Sequence, residues 1–420
     1  MSTVPTRTAS RPRFERGRGV AATAFALSVA MLGTTLPTPL YDLYRQRFGL
    51  SELTITVIFA TYAAGVIASL FLFGRLSDQL GRRPLLLAGL ALSALSAVTF
   101  LTADGLPLLI VGRVLSGLSA GIFTGTATAT LVDLAPPARR ARATFVAALA
   151  NMGGLGCGPL LAGVLSQWAG SPLRLTFWAD LALLVPASIG IWTMPEPVVA
   201  RSRPRLRPRA LRIPTQMRGA FVRAALAGMA GFAVLGLFAA VAPAFLAAGL
   251  GVTSRAAVGL VVFAVFAAST AGQAVLGLLR EDALPAGCLA LIAGMGSLML
   301  GLGFSSLPLL VLGGVIAGFG QGLSFRAALA AVNASAPAEA RGEVASSFFV
   351  AMYLAISLPV IGEGVLAEAT GLRLAGVTFA AVVAALAAAV LVLARRQPTT
   401  GARNRPPTGP GELVLPGTAG

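Results

Sequence analysis

Arg113 stands inside a long apolar run, in Gly112-Arg113-Val114-Leu115-Ser116-Gly117, and Asp42, Asp180 and Glu363 lie within or at the ends of similar runs. A charge in a lipid-surrounded segment is costly, so it pairs with another group, faces a water-filled gap, or moves a proton or ion. An arginine brought up to a protonated acid favours loss of that proton, and its withdrawal lets the acid bind one again. The chain contains no histidine, which excludes an imidazole relay and leaves Asp or Glu as any proton carrier. Asp42 lies at the outer end of the first run. Asp180 lies several residues into the sixth run, at a depth similar to Arg113, and Glu363 lies near the outer end of the eleventh. A solvated helix end is the other reading of Asp42 and of Glu363, and Glu52 reads as a helix cap.

Other chemistries lack their residues. Cys157 and Cys288 are the two cysteines, both in apolar runs. They form no zinc spacing or disulfide framework and read as small buried side chains. No metal site and no cofactor is expected. Neither a P-loop nor a dinucleotide fingerprint is present in context, so ATP drive is not expected and the proton gradient is the default energy source.

The scaffold that must position these residues is immersed in lipid. Of 420 residues, 56% are hydrophobic and 11% charged, against roughly 25% charged in soluble domains. Mean hydropathy is +0.84. About 20 apolar residues cross the hydrocarbon core as a helix. Twelve such runs are present, at 20–41, 53–73, 85–103, 106–131, 144–167, 174–194, 224–247, 257–279, 286–304, 307–327, 345–366 and 374–394. Backbone polar groups in lipid must bond within their own segment, so these runs are helices, and the alternation of a membrane barrel is absent. The polar, Arg-rich first 19 residues followed by Val20 to Leu40 also fit a signal peptide. The length of the run and the similar runs after it favour an uncleaved first helix.

All 32 basic residues are arginine, against 15 acidic ones, for a net charge of +17. Such a balance invites a nucleic-acid reading, which placement excludes. With a cytoplasmic N-terminus, 26 arginines fall in inner segments, five (Arg45, Arg47, Arg174, Arg255, Arg373) in outer loops and one, Arg113, within a span. This is the positive-inside pattern, giving a multi-pass protein of the inner (plasma) membrane with both termini cytoplasmic. The expected organisation is an N-tail (1–19), a six-helix bundle (20–194), an Arg/Pro-rich linker (195–223), a second six-helix bundle (224–394) and a disordered C-tail (395–420). The linker reads as a topology anchor between halves, with binding of anionic lipid or nucleic acid as the other reading.

The halves repeat. Leu106-Pro107-Leu108-Leu109 with Gly112, Gly117 and Gly121 recurs 201 residues on as Leu307-Pro308-Leu309-Leu310 with Gly313, Gly318 and Gly322. The same shift relates Pro136 to Pro337, Arg140 to Arg341 and Gly163-Val164-Leu165 to Gly364-Val365-Leu366. An even number of spans per half gives both halves one orientation, related by an axis along the membrane normal, with the substrate site expected between them near the midplane.

The loop after helix 2 reads Gly74-Arg75-Leu76-Ser77-Asp78-Gln79-Leu80-Gly81-Arg82-Arg83-Pro84. Here the chain resembles the major facilitator superfamily, whose signature between helices 2 and 3 has this form, and the resemblance extends over residues about 20–394. It implies an all-α membrane fold of twelve helices in two six-helix bundles that rock around a central cavity. Gly81 supplies a tight turn, Pro84 suits a first helical turn, and Asp78 can pair with arginine or cap helix 3. Asp133 resembles the acidic partner of the loop arginine in that family. The resemblance implies a cytoplasmic gate of Gly74, Asp78, Gly81, Arg82, Arg83 and Asp133 that closes the inner face; orienting helices 2 and 3 is the alternative role. The counterpart at Gly277-Leu278-Leu279-Arg280-Glu281 lacks the Gly-Arg-Arg part.

Helix 5 carries Gly154-Leu155-Gly156-Cys157-Gly158-Pro159-Leu160-Leu161-Ala162-Gly163, which resembles the antiporter motif of the drug–proton branch, with Ala162 where that branch often has glycine. Its key positions are Gly154, Gly158, Pro159 and Gly163. Small residues permit close helix packing and Pro159 bends the helix; simple packing is the other reading. The resemblance also gives Arg113 a part in proton transfer. It makes an Asp42–Arg113 pair plausible, because helices 1 and 4 line the cavity in that fold. Tyr62, Phe123, Asn151, Phe238, Gln273 and Gln321 are candidate cavity residues. So few polar groups suit a hydrophobic or amphipathic solute. Trp168, Trp178 and Trp192 read as interfacial belt residues.

These features make the chain a secondary active transporter and no enzyme. The expected activity is proton-coupled export of a small hydrophobic or amphipathic compound, a drug or secondary metabolite, by a monomer whose partners are its solute, protons and the bilayer. An uptake symporter of the same fold and a non-transporting membrane sensor are the alternatives.

Overall fold

The computed structural model describes residues 13–73, 76–168, 170–198, 212–279, 282–337 and 340–395. Gly74 and Arg75 of the gate motif, Arg280 and Glu281, residues 1–12 of the N-tail, 199–211 of the linker and 396–420 of the C-tail lie outside the described residues.

Among the described residues twelve helices are long and apolar enough to cross a membrane. Helices 1 to 6 are Arg13–Thr35, Glu52–Phe73, Arg82–Leu101, Leu106–Leu134, Arg140–Trp168 and Pro172–Thr193. Helices 7 to 12 are Arg218–Ala240, Arg255–Leu279, Ala283–Gly303, Leu307–Ser335, Arg341–Thr370 and Leu372–Arg395. The protein is a multi-pass, all-helical membrane protein. Helices 4, 5, 10 and 11 have 29, 29, 29 and 30 residues. They outrun the hydrocarbon core, and their polar ends stand beyond the expected runs. Helix 1 stops at Thr35, because Pro37 and Pro39 break the hydrogen-bond ladder. The chain then forms a short 3₁₀ turn, Thr38–Leu40, and an eight-residue helix, Tyr41–Phe48, that carries Asp42.

Each half has the same packing scheme. Helix 1 contacts helices 4, 5 and 6, helix 2 contacts helix 4, and helix 3 contacts helices 4 and 6. Helix 7 contacts helices 10, 11 and 12, helix 8 contacts helix 10, and helix 9 contacts helices 10 and 12. The halves meet along two seams, helix 5 with helix 8 and helix 2 with helix 11. Adding six to either seam gives the other, as a two-fold relation between duplicated bundles requires. Small residues let the helices of each bundle approach closely. A Cβ at Gly65 would strike the Val114 carbonyl, one at Gly117 the Tyr62 carbonyl and one at Gly322 the Ser269 carbonyl. Backbones that close gain dispersion contacts in an environment without a hydrophobic drive.

Candidate functional site

Between the bundles lies a cavity of about 570 Å³, bounded by helices 1, 2, 4, 5, 7, 8, 10 and 11. It runs from Thr34, Phe59 and Arg113 at its deep end to Asp133, Thr144, Asn333 and Ala345 at its mouth. The mouth lies at the ends of helices 4 and 10 and the starts of helices 5 and 11, the face on which the linker leaves helix 6 (the linker face). At the opposite face both seams are shut. The Pro159 carbonyl abuts Gly259 and the Arg255 carbonyl abuts Gly163. The Arg255 N–H donates to Gln167 Oε1 at 2.8 Å, and the Leu53 N–H to Glu368 Oε1 at 3.3 Å. Among the described residues the cavity is therefore open toward the linker face and shut toward the other.

Arg113 is 2% exposed and forms the deep end. Its Nη1 donates to the Thr34 carbonyl at 2.6 Å and its Nη2 to the Phe59 carbonyl at 3.3 Å. Its guanidinium carbon lies 4.8 Å from the Tyr62 ring centroid and 5.5 Å from that of Phe59. Backbone oxygens and ring faces thus replace water around the cation, and Nε has no hydrogen-bond partner among the described residues.

The plausible Asp42–Arg113 pair is not formed. Asp42 accepts from Arg45 Nη2 at 2.9 Å and from Gln46 Nε2 at 2.7 Å, on the short helix beyond the prolines. The proline break turns that segment out of line with helix 1. Among the described residues Arg113 forms no salt bridge with any acid. Asp180 instead stands behind helix 1, where a Cβ at Gly33 would lie 3.0 Å from its Oδ2. Arg113 and Asp180 therefore approach adjacent residues of helix 1, Thr34 and Gly33. Asp180 is 2% exposed, and its Oδ1 has no hydrogen-bond partner among the described residues. Glu363 is buried in helix 11, and neither of its carboxylate oxygens has a partner among the described residues. Neither acid lines the cavity.

Of the residues expected to form the gate, Asp78, Arg82 and Asp133 meet on the linker face. Arg82 Nε donates to Asp133 Oδ2 at 3.0 Å, and Nη1 reaches Asp78 Oδ1 at 2.7 Å and Ser77 Oγ at 2.6 Å. Gly81 has φ +100°, a region favouring glycine, and begins helix 3. Arg83 lies over the Trp192 ring at 4.8 Å rather than on an acid. Sequence reasoning missed Glu196. Its Oε1 and Oε2 each accept a backbone N–H at 2.8 Å, from Arg82 and Arg83, so a carboxylate caps the exposed donors of helix 3. Each of these groups belongs to the first half. The cluster braces helices 3, 4 and the end of helix 6, while the mouth beside it is open.

The glycines of helix 5 serve two partners. A Cβ at Gly154 would strike the Ser28 carbonyl, and one at Gly158 the Leu32 carbonyl and Thr35 Oγ1, all on helix 1. Gly156 faces Phe263 and Phe266, and Gly163 faces Arg255 and Gly259, all on helix 8 of the other half. Pro159 sits inside the helix between these sets.

Of the candidate cavity residues, Tyr62, Asn151 and Gln273 line it. Phe123, Phe238 and Gln321 do not. Phe123 packs on Gly89, Phe238 fills the space over Gly314, and Gln321 packs on Gly231 and accepts from Ser269 Oγ. Their periodicity could not separate a bundle-facing from a cavity-facing side of helices that are apolar all round. The structure adds Arg326 on helix 10, which the sequence placed among the inner arginines because the apolar run ended beside it.

Eight helices around a cavity open at one face, with four more outside, define a membrane transporter of the alternating-access type. The Major Facilitator Superfamily model matches residues 23–358, and the chain belongs to that family. No curated protein matches the sequence. Among solved structures, a bacterial homologue of the human lysosomal transporter Spinster, inward-facing and unoccupied, is similar with TM-score 0.72 and 17% identity over 92% of this chain and 98% of that one. Its occupied inward-facing form gives 0.73 and 15%, over 91% and 97%. The human organic anion transporter MFSD10 (TETRAN) gives 0.66 and 18%, over 90% and 99%.

Proposed function

We propose that this transporter is a proton-coupled exporter of a small amphipathic compound. The observation that carries the reading is the cavity itself, whose wall surface is mostly apolar and aromatic between scattered hydroxyl, amide and guanidinium groups, together with two buried carboxyl groups outside it. The walls suit a solute that needs apolar surface and few hydrogen bonds. Asp180 and Glu363 are acids without a cationic partner among the described residues, and such intramembrane groups are natural proton carriers. In this reading the linker face is cytoplasmic, the state described takes solute from the cytoplasm, and the Arg82 cluster closes against the second half in the opposite state. Helix 5 supports it, because its glycines join helix 1 and helix 8 and so link the interior of one bundle to the seam that must open.

The test uses everted membrane vesicles energised to an acidic lumen. Accumulation of an amphipathic compound that collapses with a protonophore is the expected result. If an imposed pH gradient changes the movement of no compound across a broad panel, the coupling is refuted. An uptake symporter would show as lost growth on one nutrient when the protein is absent.

A further inference from the structure

Helices 4 and 10 carry one arginine each, at positions the duplication does not match. The counterpart of Arg113 is Gly314, and the counterpart of Arg326 is Gly125. Gly314 is covered by the Phe238 ring, whereas a Cβ at Gly125 would meet nothing within 4 Å and the residue borders the cavity. The exchange therefore gives the cavity two cations at different depths, 12 residues or roughly 18 Å apart along matched helices.

Their surroundings differ. Arg113 is fixed by two carbonyls and two rings. Arg326 is partly buried, and its Nη1 donates to the Gln273 carbonyl at 2.7 Å. Its guanidinium carbon lies 5.8 Å from the ring of Phe145, which belongs to the other half. It makes no salt bridge among the described residues. The remaining charged residue on the wall is Asp133, which Arg82 already holds. Around Arg326 the wall is aromatic, with Phe232 at 5.1 Å from Phe325 between ring centroids, Phe325 at 6.3 Å from Phe349, and Tyr353 beyond.

We infer that the transported solute is an amphipathic organic anion whose acidic head binds Arg326, with its apolar body on the Phe232–Phe325–Phe349 wall. A guanidinium with donors to spare presents a fork that matches a carboxylate, sulfonate or phosphate. A cation in the same place would meet Arg326 and, among the described residues of the wall, only Asp133, which Arg82 already holds. This rests on the reading of the cavity as the solute site and narrows it to one charge class. Because Arg326 spans from helix 10 to a helix 5 ring, bound anion would also join the two halves at the mouth.

The test is equilibrium binding to the full chain in lipid nanodiscs, without any gradient, using three probes on one ring system. These are 1-naphthalenesulfonate, 1-naphthalenesulfonamide and 1-naphthyltrimethylammonium. The sulfonate should bind at least tenfold more tightly than the trimethylammonium. Arg326→Gln should weaken sulfonate about tenfold and leave the sulfonamide unchanged, and Arg326→Lys should retain most of the sulfonate affinity. Equal or tighter binding of the cation, an unchanged sulfonate affinity in Arg326→Gln, or no sulfonate binding to the parent chain overturns the inference. Proton coupling does not enter this measurement, so its failure and the failure of export are separable.

Discussion

Arg113 Nη1 lies 2.6 Å from the Thr34 carbonyl oxygen, so a cation on helix 4 holds the last turn of helix 1 just before the proline break. The second donor goes to Phe59 of helix 2. One guanidinium thus ties three helices at the deep end of the cavity, with Asp180 pressed against the neighbouring residue of helix 1.

Lysine cannot replace this fork. Its ammonium is a point charge and does not present two planar donors in fixed directions. Arg113→Lys should lower transport at least tenfold while the chain still inserts and elutes as one species. Initial transport rates at matched protein levels check this, and a rate within twofold of the parent would contradict it.

Glu196 caps helix 3 through two charge-assisted bonds, and removal of its charge should cost about 1–2 kcal/mol of local stability. Glu196→Gln is expected to lower the thermal midpoint in detergent and to raise hydrogen exchange at Arg82 and Arg83. Exchange mass spectrometry of the 76–101 segment reads the effect. Unchanged protection would remove Glu196 from the gate.

The seam between helices 5 and 8 depends on Gly259, whose Cα faces the Pro159 carbonyl. Added methyl groups there force the backbones apart, at a cost of typically 1–3 kcal/mol. Gly259→Val should shift the population away from the state with the opposite face shut. In a background lacking Cys157 and Cys288, thiol labelling of a cysteine placed at Ser166, which is buried at this seam beside Arg255, should then speed up several-fold.

In the proton-coupling reading, each buried acid must be replaceable by its amide without loss of fold, because neither has a cationic partner among the described residues. Glu363→Gln or Asp180→Asn should preserve solute binding and abolish the response of transport to a pH gradient. If both variants keep the full response, the coupling group lies elsewhere.

Much of the fold was legible in the sequence because each helix needs its own apolar run, and a lipid solvent leaves that run unmistakable. Pairings within the site were less legible. The resemblance made an Asp42–Arg113 pair plausible because helices 1 and 4 line the cavity in that fold, but Pro37 and Pro39 redirect the chain between helix 1 and Asp42. Glu196 follows helix 6 with no motif around it, and its contacts depend on a loop more than 100 positions away in sequence meeting it. Phe238 and Phe123 read as cavity residues because helices buried on all sides have no polar face to give their orientation. The contacts of Arg82 with Ser77 and Asp78 were readable because these residues are close in sequence, whereas its contact with Asp133 spans 51 positions.

Alternating access is the claim on which the rest depends. In a background lacking Cys157 and Cys288, spin labels at Ala138 and Ser335 report the mouth, and labels at Gln46 and Thr253 report the opposite face. Distance distributions would be recorded for both pairs in nanodiscs at neutral and acidic pH, with and without solute. The account predicts reciprocal change, the mouth pair shortening as the opposite pair lengthens. Both pairs holding one distance under every condition, or lengthening together, would contradict it.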